Sequence, residues 1–239
     1  MTTSTAALNP STRPPTVARL VRTTAGAYIA RLQKGYLATP QRPVAVARLA
    51  QLRRGAGKLP VDVPGLWGLT GLDLFYDAAA RDFPDQDLPS RTLERAETAL
   101  FLAITLHALH QQSQHDAGMH RSGVGLGQAV RRLMPPADID EPLRRRFVRV
   151  GTAETLDTLA YRLREIVSLL RRGAKRPTGR VPVPLDYALL AEQLYRYPDP
   201  DGARSVRAEW GRSFHAFRPE PDDGANSDTP ADDDTKDHE

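Results

Sequence analysis

The sequence predicts an all-α protein of about nine helices in two packed helical lobes. Three features predict it. Apolar residues recur at three- and four-residue spacing through most of the chain, most cleanly at Leu156, Leu159, Leu163, Ile166, Val167 and Leu170. These windows are bounded by residues that start and stop helices: Ser, Thr or Asp before them, Gly or Pro after. No segment reads as a convincing strand; Val181-Pro182-Val183-Pro184 alternates, but its prolines leave too few N–H donors for a ladder. A chain of 239 residues that is 40% hydrophobic and 26% charged has the apolar content for a sizeable core and the charge of a soluble globular protein.

Residues 1–15 mix Thr, Ser and Pro with little apolar content, which predicts a disordered lead. The N-terminal lobe is placed at 16–134. Its first helix carries Val17, Leu20, Val21, Tyr28 and Leu32; its second follows Pro43 with Val46, Leu49 and Leu52 and ends at Arg53-Arg54-Gly55. Glycine suits the left-handed residue after a helix, and arginines suit the negative helix end. Residues 59–71 read as a loop, with Trp67 expected to anchor it in the core. A short helix over roughly 72–82 holds Leu72, Phe75 and Tyr76. Ser90 is the expected N-cap of a long helix whose many apolar positions, Leu93 to Leu106, make it the most buried. A polar, glycine-rich turn leads to a helix from about 125, stopped by Pro135-Pro136.

The C-terminal lobe is placed at 138–218. Asp140 precedes a helix with Leu143, Phe147 and Val150 inward, and Pro142 suits its first turn. Thr152 is the expected cap of the next helix, which closes in Arg171-Arg172-Gly173. Leu189, Leu190 and Leu194 mark another, and Val206, Trp210, Phe214 and Phe217 the last. Residues 219–239 are acidic and aperiodic, which predicts a disordered tail.

The chain has no cysteine, which removes disulfides, thiolate nucleophiles and cysteine–zinc sites and fits a reducing cytoplasm. Its start lacks the basic and apolar blocks of a signal peptide, and its most apolar run, Ala99–Leu109, is too short to span a bilayer. His107, His110, His115, Asp116 and His120 cluster in sequence and admit a histidine-based, metal-dependent phosphohydrolase or nuclease as an alternative function. No further carboxylate cluster completes such a site, so His107 and His110 are read as structural. No Walker A loop, GxSxG elbow or HExxH motif is present. No catalytic residue, metal ligand or cofactor is assigned.

The net charge of +4 hides an asymmetry. Residues 219–239 contain nine acids and one base, leaving 32 bases against 20 acids in the preceding 218 residues. A body at +12 attracts polyanions. Its candidate nucleic-acid-binding residues form four groups: Arg53, Arg54 and Lys58; Arg121, Arg131 and Arg132; Arg144, Arg145 and Arg146, with Arg149 beside them; and Arg171, Arg172 and Lys175, followed by Arg176. No base-reading motif accompanies them, so the expected contact is with backbone phosphate. The glycine-rich stretch His120–Gly127 has two readings: backbone N–H groups presented to an anion, or glycines that let the chain turn tightly against a neighbouring helix.

The order of these pieces carries a resemblance. RLAQLRRGAGK at 48–58, a loop with Trp67, HALHQQS at 107–113, HRSGVGLGQAVRRL at 120–133, LRRRFVRVGTAETLDTLAYRLREIVSLLR at 143–171, PLDYALLAEQLYRY at 184–197 and WGRSFHAF at 210–217 succeed one another. Together they resemble the CasB family, the small subunit of the type I-E CRISPR surveillance complex Cascade, over about residues 16–217. The resemblance implies a non-catalytic, cytoplasmic subunit, present in two copies beside the backbone and large subunits. It implies contact with CRISPR guide RNA, target DNA and the displaced strand, and stabilisation of the R-loop. The lead and the acidic tail fall outside the family's pattern.

Overall fold

The computed structural model describes residues 16–38, 42–136, 138–177 and 179–217. The lead and the acidic tail therefore lie outside the described residues. Within them the chain forms nine α-helices and one short hairpin: α1 Val17–Leu37, α2 Arg42–Leu52, α3 Leu72–Asp82, α4 Ser90–His110, α5 Leu126–Arg132, α6 Glu141–Gly151, α7 Leu156–Arg172, β1 Ala174–Arg176, β2 Gly179–Val181, α8 Tyr187–Arg196 and α9 Pro200–Ala216. None of these helices is long and apolar enough to cross a membrane.

The core is organised around α4. From Ala99 to Ala108 every side chain of this helix is buried, so it needs neighbours on all sides. It packs against α1, α2, α7 and α8, and α8 also lies along α1. Buried residues from α1 through α9 join in one continuous cluster. Buried residues on both sides of Pro135-Pro136 belong to that cluster.

Caps follow the chemistry of helix ends, with some shifts in position. Thr16, Asp140 and Asp186 each accept a backbone N–H from the first turn of α1, α6 and α8. The helix expected to be capped by Thr152 starts later: Thr155 caps α7, accepting from Thr158 N. Ser90 is the first residue of α4, and the cap position falls on Pro89. The expectation for Trp67 is also corrected. Its ring is 63% exposed, while its indole N–H donates to the Pro60 carbonyl at 2.9 Å. Leu66 and Thr70 are the side chains of that loop that are buried.

A second correction concerns the segment read as strand-free. β1 and β2 pair antiparallel, with Ala174 opposite Val181, Lys175 opposite Arg180 and Arg176 opposite Gly179. Pro182 and Pro184 come after the paired residues, so they deny the ladder nothing. Gly173, at φ 81°, turns α7 into this hairpin with its Cα against the Val181 backbone.

Candidate nucleic-acid interface

The glycine-rich turn after α4 shows what its backbone donors hold. Gly123 N–H donates to Asp186 Oδ2 at 2.8 Å, and the other oxygen of that carboxylate caps α8 through Leu189 N at 2.9 Å. Asp186 is buried. The anion at this turn is thus a side chain of the protein, fixed there by Leu185 N to Met119 O, Asp186 N to Val124 O and Arg121 N to Leu185 O. Gly127 serves the other reading. A Cβ on it would stand 2.0 Å from the Trp210 carbonyl oxygen and 2.6 Å from Phe214 N, so glycine lets α5 lie directly on the backbone of α9.

The histidines are used in packing. His107 and His110 are fully buried, and both rings meet the Tyr187 ring edge-on, at 5.3 and 5.9 Å. His110 Nδ1 lies 2.9 Å from the Tyr187 hydroxyl. Burial drives His107 well below its ordinary pKa, helped by His120 and His110; it lowers His110 to about 3, helped by Arg171. His120 Nδ1 accepts the Tyr187 N–H, and His115 stacks on Tyr36. Among the described residues no three His, Asp or Glu side chains gather as a metal site would require.

The four basic groups have different fates. Arg131 is buried: its guanidinium donates to the Pro135 and Pro136 carbonyls at 2.8 Å each. It closes the end of α5. Arg144 pairs with Glu141 at 2.8 Å, and Arg171 donates to Gln112 Oε1 at 2.7 Å. Arg54, Lys58, Arg121, Arg145, Arg146, Arg172 and Lys175 are exposed, and Arg53 is half-buried. The first basic turn abuts α7, because the Arg164 side chain lies against Gly57.

The structure brings the third and fourth groups together. A cavity of about 460 Å³ is lined by Arg146 of α6, Arg172 at the end of α7 and Arg180 of β2, with Leu133, Pro142, Leu143 and Leu169 as its apolar lining. Asp140 also lines it and brings one acid to the three arginines, while its Oδ1 caps α6 through Leu143 N. No hydrogen bond or ion pair ties Arg146 or Arg172 to another described residue; Arg180 donates to the Gly173 carbonyl at 3.1 Å. On the other side of the hairpin a cavity of about 270 Å³ is lined by Arg132, Arg176 and Phe217. Arg132 lies 4.9 Å over the Phe217 ring. Partial burial and the nearby Arg121 charge lower its pKa. The two cavities share no lining residue; the larger, with Arg146, Arg172 and Arg180, forms an arginine groove on one side of the hairpin.

Two basic residues beside these groups escape the reading from sequence. Arg180 stands alone in sequence and reaches the groove only because β2 folds back on β1. The pointer to it is the Pro177–Gly179 turn between two short runs, with Gly179 at φ 123°. Arg164, against the first basic turn, sits mid-helix between Leu163 and Glu165. Within the hairpin, Lys175 and Arg180 are directly opposite, a like-charge pair that costs stability unless a counter-charge lies near.

Fold and groove define the class: an all-helical basic protein whose exposed chemistry is guanidinium on a concave surface. The chain belongs to the CRISPR-associated Cse2 family, whose model matches residues 48–215. It is similar to CasB from Thermobifida fusca, whose crystal structure superposes with a TM-score of 0.69 at 49% sequence identity, covering 82% of this chain and 98% of that one. A CRISPR-associated protein of the Cse2 family from Thermus thermophilus superposes with a TM-score of 0.50 at 22% identity, covering 81% of this chain and 98% of that one, a likeness of fold alone. No protein with a curated description matches.

Proposed function

We propose that this protein is a non-catalytic small subunit of the type I-E CRISPR Cascade ribonucleoprotein, acting in antiviral defence in the cytoplasm. It binds nucleic-acid backbone, stabilises the guide RNA–target DNA hybrid and keeps the displaced strand from re-annealing. Two copies sit beside the backbone and large subunits. R-loop formation exchanges one duplex for another of similar stability, so a few backbone contacts tip it.

The observation that carries this reading is the convergence of Arg146, Arg172 and Arg180 on one groove in a member of the Cse2 family. Three guanidinium groups against the single carboxylate of Asp140, with no ion pair made by Arg146 or Arg172 among the described residues, suit phosphate oxygens and ignore base identity. Arg54, Lys58, Arg121, Arg145 and Lys175 are further exposed bases available to phosphate, and Arg53 is half-buried. Arg131 is left out because its donors are taken by carbonyls. The histidine-based hydrolase is not favoured by any observation, since His107, His110 and His120 meet Tyr187.

The test is single-strand binding across a salt series. Removing Arg146, Arg172 and Arg180 by substitution with alanine lowers the slope of log affinity against log salt by roughly 2, at about 0.7 per lost contact. An unchanged slope refutes the assignment of the groove. Failure of the chain to co-purify with a guide-RNA complex refutes its place in Cascade.

A further inference from the structure

The β1–β2 hairpin carries bases on both of its faces. Directly opposed residues of an antiparallel pair share a face, and successive pairs alternate. The pair Lys175–Arg180 therefore faces one way, and the pairs Ala174–Val181 and Arg176–Gly179 face the other. The cavities agree with this register: Arg180 lines the larger one, and Ala174, Arg176 and Val181 line the smaller. The arginine groove uses only the first face, which leaves the smaller cavity without a role.

That cavity, of about 270 Å³, differs in kind from the groove. It joins Arg132 and Arg176 to the Phe217 ring and to the apolar walls of Pro182, Val183 and Pro184, and no acid lines it. Arg132 lies 4.9 Å over Phe217. Its other neighbour is uncharged: the Gln128 amide accepts from it at 3.1 Å while donating to the Gly123 carbonyl. The Arg176 guanidinium makes no hydrogen bond or ion pair with another described residue. Two guanidinium groups without a carboxylate suit an anion. An aromatic ring and two prolines beside them suit a flat apolar group. A nucleotide carries both. The volume is near the lower end of small-ligand pockets, roughly 300 Å³, which suits one nucleotide and not a length of strand. A base inside a duplex has its faces covered by its neighbours, so only an unpaired strand offers one to Phe217.

We propose that the smaller cavity is a site for one nucleotide of an unpaired strand: Arg132 and Arg176 hold its phosphate, and Phe217 stacks on its base. The hairpin then has a nucleic-acid site on each face, for backbone alone in the groove and for backbone with base here. This rests on the reading of the protein as a nucleic-acid-binding subunit, and it names the site that tells an unpaired strand from a duplex.

The experiment uses the full chain and two strands of equal phosphate number, a thymidine homopolymer and its abasic counterpart, each titrated across a salt series. Phe217→Leu keeps apolar packing and removes the aromatic face. It weakens homopolymer binding about tenfold, within the range for one stacked base, and moves neither the salt slope nor the affinity for the abasic strand. Phe217→Tyr restores the affinity. Arg176→Ala lowers the salt slope by about 0.7 for both strands. Arg146→Ala with Arg172→Ala also lowers the slope but keeps the preference for homopolymer over abasic strand. An equal effect of Phe217→Leu on the two strands, no effect on either, or a slope unmoved by Arg176→Ala overturns the proposal; the proposed function survives that outcome if the groove variant still lowers the slope. If the groove variant leaves the slope alone while Phe217→Leu and Arg176→Ala act as expected, the groove assignment fails and this site stands. A chain that binds neither strand overturns both.

Discussion

Lowering the pH from 7.5 to 5 destabilises this protein through two histidines. His107 and His110 are buried against Tyr187, and burial holds both below the ordinary value of 6.5, His110 at about 3. In the unfolded chain each takes up a proton near pH 6.5; in the fold neither does. Their contribution is therefore fully present above about pH 7. It is lost as pH falls through 6.5 toward the folded values. Between pH 7.5 and 5 each histidine that stays neutral in the fold costs about 2 kcal/mol, or about 4 for the pair. That is a large share of a typical stability of about 5–15 kcal/mol. Urea unfolding at pH 7.5, 6 and 5, followed by fluorescence of the buried Trp210, measures it. The paired carboxylate Glu209, whose pKa is lowered, stays ionised across this window. Both ring nitrogens of His107 lack a hydrogen-bond partner among the described residues, so His107→Leu has little to lose at pH 7.5. It reduces the loss at pH 5 by about 2 kcal/mol. Stability that is flat from pH 7.5 to 5, or a loss that His107→Leu leaves unchanged, refutes the reasoning.

Three further substitutions separate structural from binding roles. Asp186→Ala strands the Gly123 N–H and uncaps α8, lowering stability by about 2–4 kcal/mol in denaturant unfolding. Gly127→Ala drives a methyl into the backbone of α9; a cost of about 3 kcal/mol is expected, with disturbed Trp210 fluorescence, because a main-chain neighbour cannot rotate aside. Arg131→Ala frees the Pro135 and Pro136 carbonyls and costs stability by about 1–3 kcal/mol, yet leaves the salt slope of single-strand binding where it was.

Much of the helical layout is legible in the sequence because helix formation is signalled locally. The spacing of Leu159, Leu163, Ile166 and Leu170, the prolines at 135–136 and the aspartate before α6 all act within a few residues of themselves. The cap at Thr155 differs from the expected Thr152 because several polar residues near that helix start compete; α4 starts after Pro89, whose side chain caps nothing. Trp67 departs from expectation for a similar reason: Leu66 and Trp67 are neighbours, the loop buries only one, and the turn geometry selects Leu66.

The sequence by itself determined the all-α class, the excess of arginine over the first 218 residues and the acidity of the segment that follows, since these depend on composition and short-range periodicity alone. It also narrowed the glycine-rich turn to two meanings. Only the tertiary structure decided between them, by bringing Asp186 to the Gly123 N–H across 63 residues and α9 onto Gly127. It likewise sorted the arginines. Arg131 and Arg132 are adjacent in sequence, yet one closes a helix and the other faces the smaller cavity. Arg146, Arg172 and Arg180 are far apart and share one cavity. Charge is a property of a residue, whereas availability to a ligand depends on which carbonyls, carboxylates and apolar walls the fold places around it.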